Sequence, residues 1–170
     1  YAKYLLEHDS IHGHFDEKVS VKDGKLVVGR MKISFYTEME PARIPWKNDE
    51  VDVVIEATGK FTAYDKAIAH ISAGAKKVVV SAPGKEMPMF VMGVNEDEYK
   101  DEMKVVSNAS CTTNCLAPLV KVIDKSFGIV EGLMSTVHST INKKFYNIFK
   151  PYRFPAPCLK RLAPNYIGQK

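Results

Sequence analysis

The alternation of strand-length apolar runs with a helical stretch constrains this chain more than any other feature. VDVVIEATG at 51–59 and KKVVVSAP at 76–83 are apolar runs closed by small or turn-forming residues. Between them, AYDKAIAHISAGA at 63–75 places Ala67, Ile68 and Ile71 on one helical face, with Gly74 as its C-terminal stop. A strand, a helix and a strand at this separation predict a parallel pair joined by a crossover helix, and so an α/β fold. Their continuous apolar character predicts strands buried on both faces. MFVMGVN at 89–95 predicts a third short strand. KVVSNAS at 104–110 leads from an apolar strand into a helix with apolar positions Leu116, Leu119, Val120 and Ile123. IVEGLMSTVHS at 129–139 predicts the strand that follows it.

The flanks differ in kind. YAKYLLEHDS reads as a helix already under way, with Tyr1, Tyr4, Leu5 and His8 near one face, so sequence before residue 1 is expected. KVSVKDGKLVVGRMKISFY at 18–36 predicts two or three strands, and Asp23 followed by Gly24 marks a type I′ hairpin. PARIPW at 41–46 is a proline-punctuated connection. At the other end, residues 141–170 hold seven Lys or Arg, four prolines and no acidic residue. The other 140 residues carry 17 basic against 20 acidic groups, so a slightly acidic body precedes a basic tail. Between those prolines no helix longer than two turns is expected, and the tail is predicted to be irregular.

Three cysteines, an odd number, argue against a disulfide framework and for a reducing compartment. No apolar run approaches membrane-spanning length and no charged-then-apolar leader opens the chain as given, so the expected location is cytoplasmic. Cys111 and Cys115 lie four apart with no further ligands close in sequence, so no metal site is expected.

Around Cys111 the apolar pattern breaks into Ser110, Thr112, Thr113 and Asn114, at the point where strand becomes helix. A helix N-terminus offers unpaired N–H groups and the positive end of the helix dipole, which favour a thiolate, and hydroxyls beside it suit a phosphate or oxyanion. The same residues also suit a simple N-cap at Ser110 or Asn108, with Cys111 as a small first-turn residue. A nucleophilic cysteine needs a base, usually histidine. Of five histidines, His8, His12, His14 and His70 are expected to be solvated, whereas His138 falls late in an apolar strand. His138 fits either a catalytic base or a hydrogen-bonded semi-buried histidine.

SNASCTTNCLAPLVKVI, VVIEATGKFT, SAPGKEMPMFVMGVN and FGIVEGLMSTVH together resemble phosphorylating glyceraldehyde-3-phosphate dehydrogenase, in that family's order and spacing, over residues 1 to about 140. The resemblance implies a partial Rossmann-type dinucleotide-binding domain lacking its first β-α-β unit at 1–109. It implies the start of a catalytic domain at 110–140, followed by a divergent tail at 141–170. By position it implies Cys111 as the nucleophile that attacks the aldehyde and His138 as the base. Ser110 and Thr112 would bind the attacking phosphate. Thr58, Gly59, Phe61, Ser81 and Ala82 would line the NAD site at the carboxyl ends of the strands. The implied partners are glyceraldehyde-3-phosphate and inorganic phosphate, and the family is homotetrameric.

The family's opening strand, glycine-rich phosphate loop and ribose-binding acidic residue are not found in these 170 residues. The isolated chain is therefore expected to be inactive, and its sheet to expose apolar edges. Two other classes stay open. One is a non-catalytic protein whose tail binds nucleic acid or acidic surfaces, with Phe145, Tyr146, Phe149, Tyr152 and Phe154 interleaved among the basic groups. The other is a thiol redox sensor at Cys111.

Overall fold

A computed structural model describes residues 1–9 and 13–137, together with the backbone of 152–155. Its central element is a three-stranded parallel sheet of β6 (Val53–Glu56), β7 (Lys77–Val80) and β8 (Val105–Ser107), in that order. Glu56 pairs with Val80, and Val80 with Ser107, at the carboxyl ends. The β6 to β7 crossover carries two short helices, α2 (Tyr64–Ala67) and α3 (Ala69–Ser72), in place of the single predicted helix. Gly74 ends the segment at φ 109°, where its N–H reaches the Ile71 carbonyl and the Ala75 N–H the His70 carbonyl. This strand, crossover and strand make the α/β fold a partial Rossmann-type arrangement.

The remaining elements follow their local signals. α1 (Ala2–Glu7) leads through β1 (His8–Asp9) and β2 (Gly13–His14) into an antiparallel sheet of β3 (Val19–Lys22), β4 (Lys25–Val28) and β5 (Met31–Ile33). Asp23 and Gly24, both at positive φ (51° and 73°), form the predicted two-residue hairpin between β3 and β4. Leu6, rather than Tyr4 or Leu5, packs on the buried Val19, Leu26 and Val28. After β8 comes α4 (Cys111–Phe127), then β9 (Glu131–Met134).

Several expectations are corrected. β6 is not buried on both faces: Val54 and Glu56 are buried, whereas Val53 and Ile55 are 51% and 70% exposed. Among the described residues, the core formed by Val54, Ala67, Ala75, Val78, Val80 and Val105, with Trp46 and Ile71, lies against the face that Val53 and Ile55 do not share. MFVMGVN is not a strand. Met89 makes a single parallel bridge to Ser107, and the Asn95 side chain then folds 91–95 into a turn, accepting from the Val91 N–H and donating to the Met89 carbonyl. Part of the supposedly irregular tail, Tyr152–Pro155, is a strand, β10, antiparallel to β9. Proline is compatible with such an edge position. The rest of the tail, with His138 and His12, lies outside the described residues.

His70 is the most consequential correction. It is 4% exposed, not solvated, because the α3 turn drives its ring into the core. Its Nε2 meets the Glu56 carboxylate at 2.9 Å, and its Nδ1 accepts from the Trp46 indole N–H at 3.1 Å. The other Glu56 oxygen accepts from the Thr58 amide and hydroxyl. Burial pushes the Glu56 carboxyl up, but hydrogen bonds from the Thr58 hydroxyl, the His70 ring and the Thr58 amide outweigh it and hold the group below its ordinary 4.5.

A depressed folded pKa contributes stability that is complete above the unfolded value and is lost as pH falls through the folded one. The urea midpoint of the native chain should therefore decline below about pH 4.5 more steeply than that of Glu56→Gln, with a constant difference at neutral pH. Parallel curves for the two proteins would refute the assignment. At Gly74, an added Cβ would meet the Lys47 Cβ at 2.7 Å and its amide nitrogen at 2.9 Å. Gly74→Ala should cost about 2 kcal/mol, read as a lower urea midpoint at unchanged slope.

Candidate active site

Because β6, β7 and β8 run parallel, their carboxyl ends open on one edge of the sheet, and the loops that leave it are tied to one another. After β6, the Thr58 hydroxyl donates to Glu56 and accepts from the Lys60 N–H at 3.1 Å. Gly59 turns the chain at φ 72°, with no atom within 4 Å of where a Cβ would stand. After β7, the amide and hydroxyl of Ser81 both donate to the Glu56 carbonyl, at 3.0 and 3.2 Å. The two loops then run side by side: the Tyr64 N–H reaches the Lys85 carbonyl and the Lys85 N–H the Thr62 carbonyl.

The third loop follows β8 and delivers the cysteine. Ser107, 1% exposed, donates its hydroxyl proton to the Ala82 carbonyl. Its oxygen accepts from the Gly84 N–H at 3.2 Å and the Ala109 N–H at 2.9 Å. One buried hydroxyl thus joins the loop after β7 to the residue two places before Cys111. Ala109 sits at φ 63°, a conformation that costs a non-glycine residue about 1–2 kcal/mol. Its side chain is held against Val91, Val94 and Ala117.

The helix then begins as its sequence predicts. Ser110 is the N-cap, with its oxygen accepting from the Thr113 N–H at 3.0 Å and lying 2.7 Å from the Thr113 hydroxyl. The Asn114 amide folds back to donate to the carbonyls of Asn108 and Ser110, both at 2.8 Å. Cys111 is the first helical residue, and its thiol is exposed and free, as is that of Cys115. The Thr112 hydroxyl makes no hydrogen bond among the described residues. The edge therefore presents an accessible thiol and an unengaged hydroxyl on the first turn of a capped 17-residue helix.

Of the residues singled out from sequence, Thr58, Gly59, Ser81, Ala82, Ser110, Cys111 and Thr112 stand on this edge or the loops leaving it. Phe61, half-buried on the first loop, lies near-perpendicular to the His70 ring at a centroid distance of 6.5 Å. Sequence reading missed Glu56, His70, Trp46 and Ser107. Glu56 and Ser107 each interrupt an otherwise apolar run at an inward position of the strand. That interruption was the available signal.

Residues 1–64 match the family model described as glyceraldehyde 3-phosphate dehydrogenase, NAD binding domain, and residues 110–150 match the model for the C-terminal domain of the same enzyme. The chain is 57% identical over 140 residues to glyceraldehyde-3-phosphate dehydrogenase 2 of Mucor circinelloides f. lusitanicus, covering 82% of this chain and 41% of that protein. Identity is 57% over 139 residues with the glyceraldehyde-3-phosphate dehydrogenase of Emericella nidulans, at the same coverage. With the cytosolic enzyme of Chondrus crispus it is 56% over 140 residues, 82% of this chain and 42% of that protein. The chain thus spans about two-fifths of the length of the curated relatives it matches. Two domain models of one family in chain order, with relatives at this identity, show that the chain belongs to the glyceraldehyde 3-phosphate dehydrogenase family of NAD-dependent oxidoreductases.

Proposed function

We propose that this chain carries the thiol and part of the cofactor edge of a phosphorylating aldehyde dehydrogenase. Its substrates are glyceraldehyde-3-phosphate and inorganic phosphate, and its product is 1,3-bisphosphoglycerate. The observation that carries the reading is the exposed Cys111 thiol at the first position of a capped helix, on the carboxyl edge of a parallel sheet. The cysteine sulfur bonds to the aldehyde carbon as the carbonyl oxygen takes a proton. His138 is the assigned base for the thiol proton. NAD, where bound, would supply the hydride acceptor that this carbon needs to become a thioester, and the hydroxyl proton of the adduct leaves to His138 as the C–O bond becomes a carbonyl. A phosphate oxygen then bonds to the thioester carbon, the C–S bond breaks and the electron pair returns to Cys111.

The residues fit the cofactor at the strand ends. Gly59 leaves open space beside an exposed turn, and the loop through Ser81 and Ala82 lies next to it. Thr58 serves by holding that turn rather than by donating to a ligand, since its hydroxyl proton goes to Glu56 and its oxygen accepts from the Lys60 N–H. Phe61 is assigned to the adenine side. For the attacking phosphate, Thr112 has the unengaged hydroxyl, whereas Ser110 serves chiefly as the cap that aims the first turn. A cytosolic setting accords with the naming of the Chondrus relative.

The test is NADH formation from glyceraldehyde-3-phosphate, NAD and phosphate by a full-length relative in which the matching segment is replaced by residues 1–140 of this chain or of its variants. Cys111→Ser should lower the rate by about a thousandfold or more, with Cys115→Ser unchanged. A Cys111→Ser protein that keeps its rate would sink the reading. Ser110→Ala should cost about 1 kcal/mol of stability through the lost cap. Thr112→Val should leave the urea midpoint nearly unchanged and instead raise the KM for phosphate. A reversal of that pattern would exchange the two roles.

A further inference from the structure

We propose that His70 and Trp46 are positioning residues for the cofactor edge, holding the turn at 58–60 through the carboxylate of Glu56. The proposal rests on reading that edge as the NAD site. The indole N–H of Trp46 can only donate, so His70 Nδ1 must accept, which places the imidazole proton on Nε2. That N–H then donates to Glu56 Oε2 at 2.9 Å. The remaining Glu56 oxygen receives the Thr58 amide and hydroxyl, and the Thr58 oxygen receives the Lys60 N–H. From the indole at 46 to the amide at 60, every donor meets an acceptor, and the sequence of bonds is consistent only with a neutral His70. A second ring proton would face the Trp46 N–H.

Space filling does not explain this arrangement. Glu56 and His70 are 3% and 4% exposed and border an apolar core of Val54, Ala67, Val78 and Val80. An apolar pair of similar volume would serve packing at least as well as a buried charged group. What the polar chain adds is direction, because it ends on two backbone amides of the turn that carries Gly59. Gly59 in that turn stands at φ 72° with open space where a Cβ would be, between the two amides that the chain of bonds holds.

Two substitutions separate the roles. Gln can accept from Trp46 through its oxygen and donate to Glu56 through its nitrogen, as the neutral imidazole does, whereas Leu fills space without either bond. The measurements are hydrogen exchange at the amides of residues 58 and 60, and an NAD titration. His70→Leu should accelerate exchange at both amides and weaken NAD binding by about tenfold, and His70→Gln should stay within about threefold of the native protein. Native-like exchange in His70→Leu, or equal loss in both variants, would overturn the proposal and leave His70 as packing. If the native protein fails to bind NAD, the reading of the edge as an NAD site fails, and the ordering of exchange rates alone decides whether the chain holds the turn.

Discussion

Parallel pairing of β6, β7 and β8 is the constraint on which the rest depends. In an antiparallel sheet successive strands end on opposite edges, so the turn after Glu56, the loop after Val80 and the cysteine after Ser107 would be dispersed. The register that aligns Glu56, Val80 and Ser107 instead puts three chain exits on one edge, about 4.8 Å apart from strand to strand. An accessible thiol beside a glycine turn follows from that alignment. Two crossovers, 57–76 and 81–104, make the alignment possible, since no short turn could return the chain in the same direction.

Parallel strands bring the loops together but do not shape them. Shaping falls to two polar side chains buried at the strand ends. Glu56 holds the first turn through two donors, and Ser107 holds the second and third loops through three bonds. An unpaired carboxylate or hydroxyl at such depth would cost several kcal/mol, and here no described buried side-chain polar atom lacks a partner. The conformation of Ala109 is supported in the same way. Its unfavourable φ is offset by the Ser107 bond and by burial against Ala117, so the residues before Cys111 follow a single path.

Much of this was legible along the chain. The hairpin at Asp23 and Gly24, the strands at 53–56 and 77–80, the stop at Gly74 and the cap at Ser110 all rest on rules that act within about five residues. The errors share a cause. MFVMGVN has the composition of a strand, yet Asn95 satisfies the Val91 amide and Met89 carbonyl that a ladder would have used. VDVVIEATG has the composition of a strand buried on both faces, yet among the described residues Val53 and Ile55 are left exposed while Val54 and Glu56 are covered. His70 was expected in water because it lies on the helix that follows Gly59, and nothing near it in sequence marks its partners Glu56 and Trp46.

The sequence by itself determined the periodicities, the turn chemistry and the placement of Cys111 at the start of a helix, because these depend on steric and hydrogen-bonding preferences between near neighbours. It also carried the family signature. Only the tertiary structure decided that Glu56 faces His70 across 14 residues, that Trp46 reaches His70 across 24 and that Ser107 reaches Ala82 across 25. Such partners have no fixed spacing in sequence. They meet because a parallel sheet and its crossover bring distant segments together, and a buried polar group then takes whichever partner that geometry supplies.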